Sequence, residues 1–327
     1  MAGAMAGVAG SAGRGLHDLT TRSCNASVPR RRRSFCGRPT YGLSELMFFL
    51  ANYETVPGFI GISTAYFIHF VSLLQCDLGV TGAIGEIGVA GGKSFAAMAF
   101  TRQEGENLLA CDLFSTGIEK DNVPDANLPL FLNTLDALRI PEEDVVILKQ
   151  SSLQLSDDNL VNLGVGRRRT RGKVGAFRLF HVDGGHYAEA AFHDINSAAC
   201  SLVPGGVLLV DDLHNMGWPG VQEGFHRYMA SERPKRQLVP FLYTGRLFLT
   251  TPGYAEAYRR GILRAYPRFE TQTLYDTEVI SAPAHKVNVE AYDFQALYEG
   301  RLPRAANRAQ ASAAGSSVEP IQTSRQA

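Results

Sequence analysis

The chain has 327 residues, 45% of them hydrophobic, and its 32 Lys and Arg are matched by 32 Asp and Glu. That length and apolar content suit one large domain with a substantial core, and the balanced charge offers no global field for nucleic acid or an anionic membrane surface. The five cysteines (Cys24, Cys36, Cys76, Cys111, Cys200) are dispersed and lack C-x-x-C spacing, which argues against a disulfide framework or a thiolate zinc site and favours a reducing compartment.

Residues 1–42 are rich in Ala, Gly, Ser and Arg and include the run Arg30 to Arg33. Asp18 is the only acidic residue in the first forty. This composition fits an organelle transit peptide or a plain disordered basic leader; without the former, the location expected is cytoplasmic. Helical patterns follow at Leu43 to Tyr53 and Ile62 to Gln75. The most apolar stretch, Phe59 to Leu74, is broken by Ser63, Thr64, His69 and Ser72, so no membrane span is expected.

From there strand and helix patterns alternate. Strands are expected at Ala83 to Val89, Asn107 to Leu113, Val145 to Lys149, Arg178 to Val182 and Val207 to Asp211. Helices are expected at Ser94 to Thr101, Leu128 to Leu138, Tyr187 to Leu202 and Val221 to Ser231. Such alternation predicts an α/β, Rossmann-like, doubly wound and mostly parallel sheet. Leu238 to Tyr243 and Arg246 to Thr251, separated by Thr244 and Gly245, read as a hairpin that supplies an antiparallel edge. The arginine-rich segment Gly164 to Lys173 reads as a solvated loop, with a basic substrate-facing patch as its alternative. Tyr254 to Ala265 (helix) and Glu270 to Ile280 (extended) form a C-terminal appendage. Residues 43–303 are thus expected to form a single domain and residues 304–327 a disordered tail.

The first strand runs into GEIGVAGGKS, where Glu86, Gly88, Ala90, Gly91 and Gly92 precede a helix. Small residues there allow a tight turn and close backbone approach to a ligand. The spacing is neither G-x-G-x-x-G nor the P-loop pattern, despite Lys93-Ser94. Asp112, about twenty residues beyond the turn at the end of the second strand, is placed to hold both ribose hydroxyls of a nucleoside. A nicotinamide dinucleotide shares that spacing and stays an alternative. Against it, the fourth and fifth strands end in FHVDGGHY and LLVDDLHN, carboxylate and histidine clusters for which a nicotinamide enzyme has no general need.

On these motifs, residues from about Gly82 to Phe225 resemble the class I S-adenosylmethionine-dependent methyltransferases, especially the macrocin-type sugar O-methyltransferases and related small-molecule enzymes. The resemblance implies that Glu86, Gly88 and Gly92 contact the methionine portion and ribose of the cofactor. It likewise implies that Asp112 holds the ribose and that Gln150, Ser151 and Ser152 lie near the adenine. It implies a metal site at Asp183, Asp211 and Asp212, and at His186 a basic residue where catechol-type relatives carry a lysine.

The chemistry agrees with that assignment. Moving a sulfonium methyl to oxygen requires a hydroxyl held in line and relieved of its proton. Three aspartates at adjacent strand ends repel one another unless a cation neutralises them, and all-oxygen ligands favour Mg2+. Asp183 and His186 are therefore the expected catalytic residues. His181, inside a strand, and His193, inside a helix, read as structural; Trp218 reads as packing beneath its loop. The expected function is Mg2+-dependent O-methylation of a small hydroxylated molecule, such as a sugar, glycoside or phenol. An NAD-dependent oxidoreductase and a non-catalytic S-adenosylmethionine-binding protein are the alternatives. The sequence leaves the acceptor unnamed and homo-oligomerisation open.

Overall fold

The computed structural model describes residues 37–115, 127–165, 176–231, 237–282 and 292–302. The arginine-rich run at 167–171, most of the basic leader and the tail lie outside the described residues. Two helices come first, α1 (Leu43–Ala51) and α2 (Ile62–Leu78). The alternating body follows: β1 (Ala83–Ile87), α3 (Lys93–Ala99), β2 (Leu108–Asp112), α4 (Leu128–Ala137), β3 (Val145–Lys149), α5 (Asp157–Val165), β4 (Phe177–Val182), α6 (Ala188–Ser201), β5 (Leu202–Val210) and α7 (Pro219–Ala230). The last part comprises β6 (Val239–Tyr243), β7 (Leu247–Thr250), α8 (Ala255–Ala265), β8 (Glu270–Leu274), β9 (Thr277–Ser281) and α9 (Phe294–Tyr298).

The described strands form one sheet in the order β3-β2-β1-β4-β5-β7-β6-β9-β8. β1 to β5 pair in parallel, β7 runs antiparallel to β5, and β6 antiparallel to β7. The expected hairpin therefore exists but does not end the sheet: its inner strand lies against β5, and β9 and β8 extend the sheet beyond β6. The segment expected only as extended folds back at Tyr275 and Asp276, both with positive φ, and becomes these two outer strands.

Alternation along each strand divides the core. Leu108, Ala110, Val207 and Leu209 face the cluster made with α1, α2, α3, α8 and α9. Leu109, Cys111, Leu208 and Val210 face the cluster made with α5, α6 and α7. Two-residue periodicity thus serves a sheet covered on both faces. α2 is buried almost throughout and stops at Gly79, whose φ of +70° permits a left-handed cap with bonds from Gly79 N to Cys76 O and Val80 N to Gln75 O. It is buried in protein rather than lipid, and no described helix is long and apolar enough to cross a membrane.

Arg178 secures the end of the sheet opposite the site. Fully buried on β4, it makes a two-pronged pair with Glu106 at 2.7 and 2.9 Å and donates to Ser72, Gln75 and the Thr101 carbonyl. Cys76 is disulfide-bonded, a single cross-link rather than a framework. Cys111 is a free, buried thiol.

Candidate active site

The sheet order reverses between β1 and β4, and the carboxyl ends of strands beside such a reversal open a crevice for ligands. Gly88 leaves β1 with φ +84°, and a Cβ there would lie 1.8 Å from the Asp183 carbonyl oxygen. Only glycine lets the loops after β1 and β4 come this close. Residues 52–61 cover the rest of the turn: Lys93 N donates to Pro57 O at 3.0 Å, and Gly91 lies under Pro57. Lys93 does not act as a phosphate-binding lysine would. Its ammonium lies 5.1 Å from the centre of the Tyr53 ring, and burial lowers its pKa.

Asp112 reaches across from β2. Its Oδ2 accepts from Ala90 N at 3.0 Å and its Oδ1 from Phe114 N at 2.7 Å. A carboxylate has about four lone-pair sites, so each oxygen keeps capacity for a further donor. The Asp112 carbonyl also accepts from Gln150 N at 3.0 Å, which ties the end of β3 to the same place. Beyond it, Ser151 Oγ caps a short 3-10 turn at Leu153 N, and Ser152 Oγ donates to Asp194 at 2.9 Å.

Glu86 has no exposed surface. Ser94 Oγ and His181 Nδ1 each lie 2.6 Å from its Oε1, whereas the buried Oε2 has no hydrogen-bond partner among the described residues. On the other side of the imidazole, Arg246 Nε donates to His181 Nε2 at 3.1 Å. Because a guanidinium cannot accept, His181 Nε2 is the acceptor and the ring proton sits on Nδ1, directed at Glu86.

The acidic residues lie one strand further on. Asp183, Asp211 and Asp212 form two overlapping groups, not one convergent cluster. His181, Asp183 and Asp211 each bring a ligand atom within 4.8 Å of the others, as do Asp183, His186 and Asp212. The split follows from the backbone: Asp211 and Asp212 are consecutive, and Asp212 adopts a left-handed φ of +53°, which aspartate tolerates better than most residues. Asp212 Oδ1 accepts from Asn215 Nδ2 at 3.0 Å, and Asp212 Oδ2 lies 3.3 Å from His186 Nε2. Burial raises the Asp212 pKa, but the bonds to His186 and Asn215 outweigh it and hold the group below the usual carboxylate value. Asp183 moves the opposite way, pushed well up by burial and by the charge of Asp211 despite Arg246.

Two residues carry more here than the sequence suggests. Arg246 directly precedes β7, whose Leu247 pairs with Val210, so it arrives opposite Asp211. It forms an ion pair with Asp211, lies 3.8 Å from Asp183 and donates to the Phe59 carbonyl at 2.6 Å. His181, expected as structural, joins this arginine to Glu86. Arg246 owes its place to the pairing of β7 with β5, and His181 its contact with Glu86 to the parallel register of β1 and β4. His193 is structural as expected, directing Nε2 at the carbonyls of Ser152 and Leu155. Trp218 stacks on His186 with ring centres 4.3 Å apart.

Residues 86–213 match a family model described as a methyltransferase domain. No curated protein matches the sequence significantly. Among solved structures, the chain is similar to an O-methyltransferase from Bacillus cereus in complex with SAH, at 12% identity and a TM-score of 0.41 over 64% of this chain and 92% of that one. It is similar to CalS11, a TDP-rhamnose 3'-O-methyltransferase of calicheamicin biosynthesis, at 17% identity and a TM-score of 0.41 over 63% and 83%. A third likeness is to the O-methyltransferase TomG from Streptomyces achromogenes, in complex with SAM, at 15% identity and a TM-score of 0.38 over 64% and 91%.

Proposed function

We propose that this class I, S-adenosylmethionine-dependent methyltransferase is an O-methyltransferase for a small hydroxylated molecule, a sugar, glycoside or phenol, with Mg2+ held at Asp183 together with Asp211 or with Asp212. The reading takes residues 43–303 as one catalytic domain. The observation that carries it is the adjacency of a glycine turn after β1 and a group of aspartates after β4 and β5, which supports neighbouring sites for a nucleoside and a hydroxyl acceptor.

When bound, S-adenosylmethionine supplies an electrophilic sulfonium methyl, and a divalent ion lowers the pKa of a coordinated hydroxyl. Asp112 is oriented by Ala90 N and Phe114 N and takes the ribose hydroxyls. Gln150 and Ser151 flank the adenine. Glu86 Oε2, buried and without a protein donor, suits the ammonium of the methionine portion, and Gly88 and Gly92 let the backbone approach it. Asp183 belongs to both groups, beside Asp211 in one and Asp212 in the other, and carboxylate oxygens are the hard ligands that Mg2+ takes.

His186 is held by Asp212 and by the Trp218 ring face, so its imidazole is fixed beside the aspartates as the acceptor of the hydroxyl proton. When an acceptor hydroxyl is held there, its proton would pass to His186.

The test is a screen of hydroxylated metabolites with isotopically labelled S-adenosylmethionine, with chelator and with Mg2+ restored. Label is expected on oxygen and lost with chelation. Asp183→Ala and Asp211→Ala are expected to stop transfer while calorimetry shows cofactor affinity nearly unchanged. Transfer by these variants equal to the parent's in Mg2+ would remove the metal site, and cofactor binding without transfer to any acceptor would favour the non-catalytic alternative.

A further inference from the structure

Three large apolar side chains, Phe59 (65% exposed), Tyr187 (44%) and Met216 (83%), belong to segments fastened to the acidic residues. Phe59 offers its carbonyl to Arg246, which pairs with Asp211. Tyr187 directly follows His186. Met216 lies between Asn215, whose Nδ2 donates to Asp212 at 3.0 Å, and Trp218, whose ring stacks on His186. Strand register adds Tyr243, which is level with Leu247 as Leu247 is with Val210, and His214 meets the Tyr243 ring edge-on at 5.0 Å. Single exposed apolar groups are ordinary, but several around one crevice mark a place where an apolar body settles. The polar neighbours, by contrast, are turned to one another. Asn215 Oδ1 accepts from Gly217 N at 2.9 Å, and Arg246 directs its donors at His181, Phe59 and Asp211.

We propose that the acceptor is a phenol, its aryl ring lodged against Phe59, Tyr187 and Met216 while its hydroxyl lies toward Asp183 and His186. The inference rests on the O-methyltransferase reading and narrows its acceptor to one class. A sugar carries hydroxyls round its whole rim, and each one that loses water on binding without gaining a protein partner costs affinity. An aryl ring asks for no such partners and gains from every apolar face it covers. Phe59 and Met216 are therefore specificity residues: they select the body of the acceptor and take no part in moving the methyl group.

The test sets catechol and a dihydroxynaphthalene against cyclohexanediol, glucose and methyl glucoside, each offered to the full chain with labelled S-adenosylmethionine and Mg2+. Label is expected on the two aryl acceptors, and the second ring of the naphthalene is expected to lower KM at least about fivefold. Phe59→Ser combined with Met216→Ser should raise that KM at least about fivefold, while calorimetry shows S-adenosylhomocysteine affinity within about threefold of the parent. Phe59→Leu combined with Met216→Leu keeps the apolar surface and should hold KM within about threefold. Label on the sugars or the saturated diol alone, or an unchanged KM in the serine pair, would overturn the proposal. So would a leucine pair as impaired as the serine pair, or a fall in S-adenosylhomocysteine affinity that matches the rise in KM. S-adenosylhomocysteine bound by the parent with no label on any acceptor would overturn the O-methyltransferase reading and this inference with it.

Discussion

Asp194 allows a quantitative test that is independent of any ligand. It lies on α6 with no exposed surface. One carboxylate oxygen accepts from Ser152 Oγ, and Oδ1 has no partner among the described residues. Burial pushes its pKa up to about 7, against the opposing effects of the Ser152 bond and the charge of His193. In the unfolded chain the same group titrates near 3.9. A carboxyl whose folded pKa is raised contributes stability that is fully present below about pH 3.9 and is lost as pH rises through about 7. The full separation of about three units corresponds to about 4 kcal/mol, reached above pH 8. Asp194→Asn keeps the shape and an acceptor for Ser152 while removing the charge, so the variant should be the more stable protein at neutral pH and above. Between pH 5.5 and 8.5 its advantage in urea unfolding should widen by about 2 kcal/mol, because up to about pH 7 the folded parent keeps a proton that its unfolded chain has released. A gap that stays constant over the interval, or a parent that is the more stable at pH 8.5, would refute the reasoning.

Arg178→Met leaves the Glu106 carboxylate buried without its partner and should cost about 3–5 kcal/mol in chemical denaturation; adding Glu106→Gln should recover part of that, and a loss below about 1 kcal/mol would contradict the role given to the pair. Gly88→Ala brings a methyl 1.8 Å from the Asp183 carbonyl oxygen at a φ of +84°, so thermal melting should fall by the equivalent of about 1–3 kcal/mol and calorimetry should show S-adenosylmethionine binding lost. Asp112→Ala removes the ribose partner and should weaken cofactor affinity at least about tenfold; unchanged affinity would show that the ribose lies elsewhere.

Much of the architecture was legible because periodicity is a local signal. Val145 to Lys149 is found as expected, and β1, β2, β4 and the helices from α3 to α7, except α5, differ from expectation mainly at their ends. α5 went unseen because Asp157–Val165 has a weak apolar pattern that ends beside the arginine-rich segment. β8 and β9 were seen as a single extended stretch because their turn is made by Tyr275 and Asp276 with positive φ, without the glycine that usually announces one.

The site divides along the same line. Glu86, Gly88, Asp112, Asp183, Asp211 and Asp212 are candidates on the sequence because each lies at or just beyond the carboxyl end of a strand, and strand ends beside a topological reversal share one crevice. Which carboxylate meets which neighbour was not recognisable. That depends on the left-handed backbone at Asp212, on the pairing of β7 with β5, and on an arginine that follows Asp211 by more than thirty positions and meets it only through that pairing. Local pattern carries no information about a partner delivered by another strand.

The encasement of α2 has a consequence for how the protein is made. α2 is synthesised near the beginning, while α8 and α9, which pack against it, come from the last part of the chain. At typical elongation rates the ribosome needs on the order of ten to thirty seconds to pass from one to the other. Throughout that interval Tyr66, Phe67 and Phe70 await the C-terminal segments that will shelter them, so the nascent chain presents an oily helix long before its covering exists. A ribosome-associated chaperone would find its first client surface there, and truncation ahead of α8 would turn a passing exposure into a permanent one.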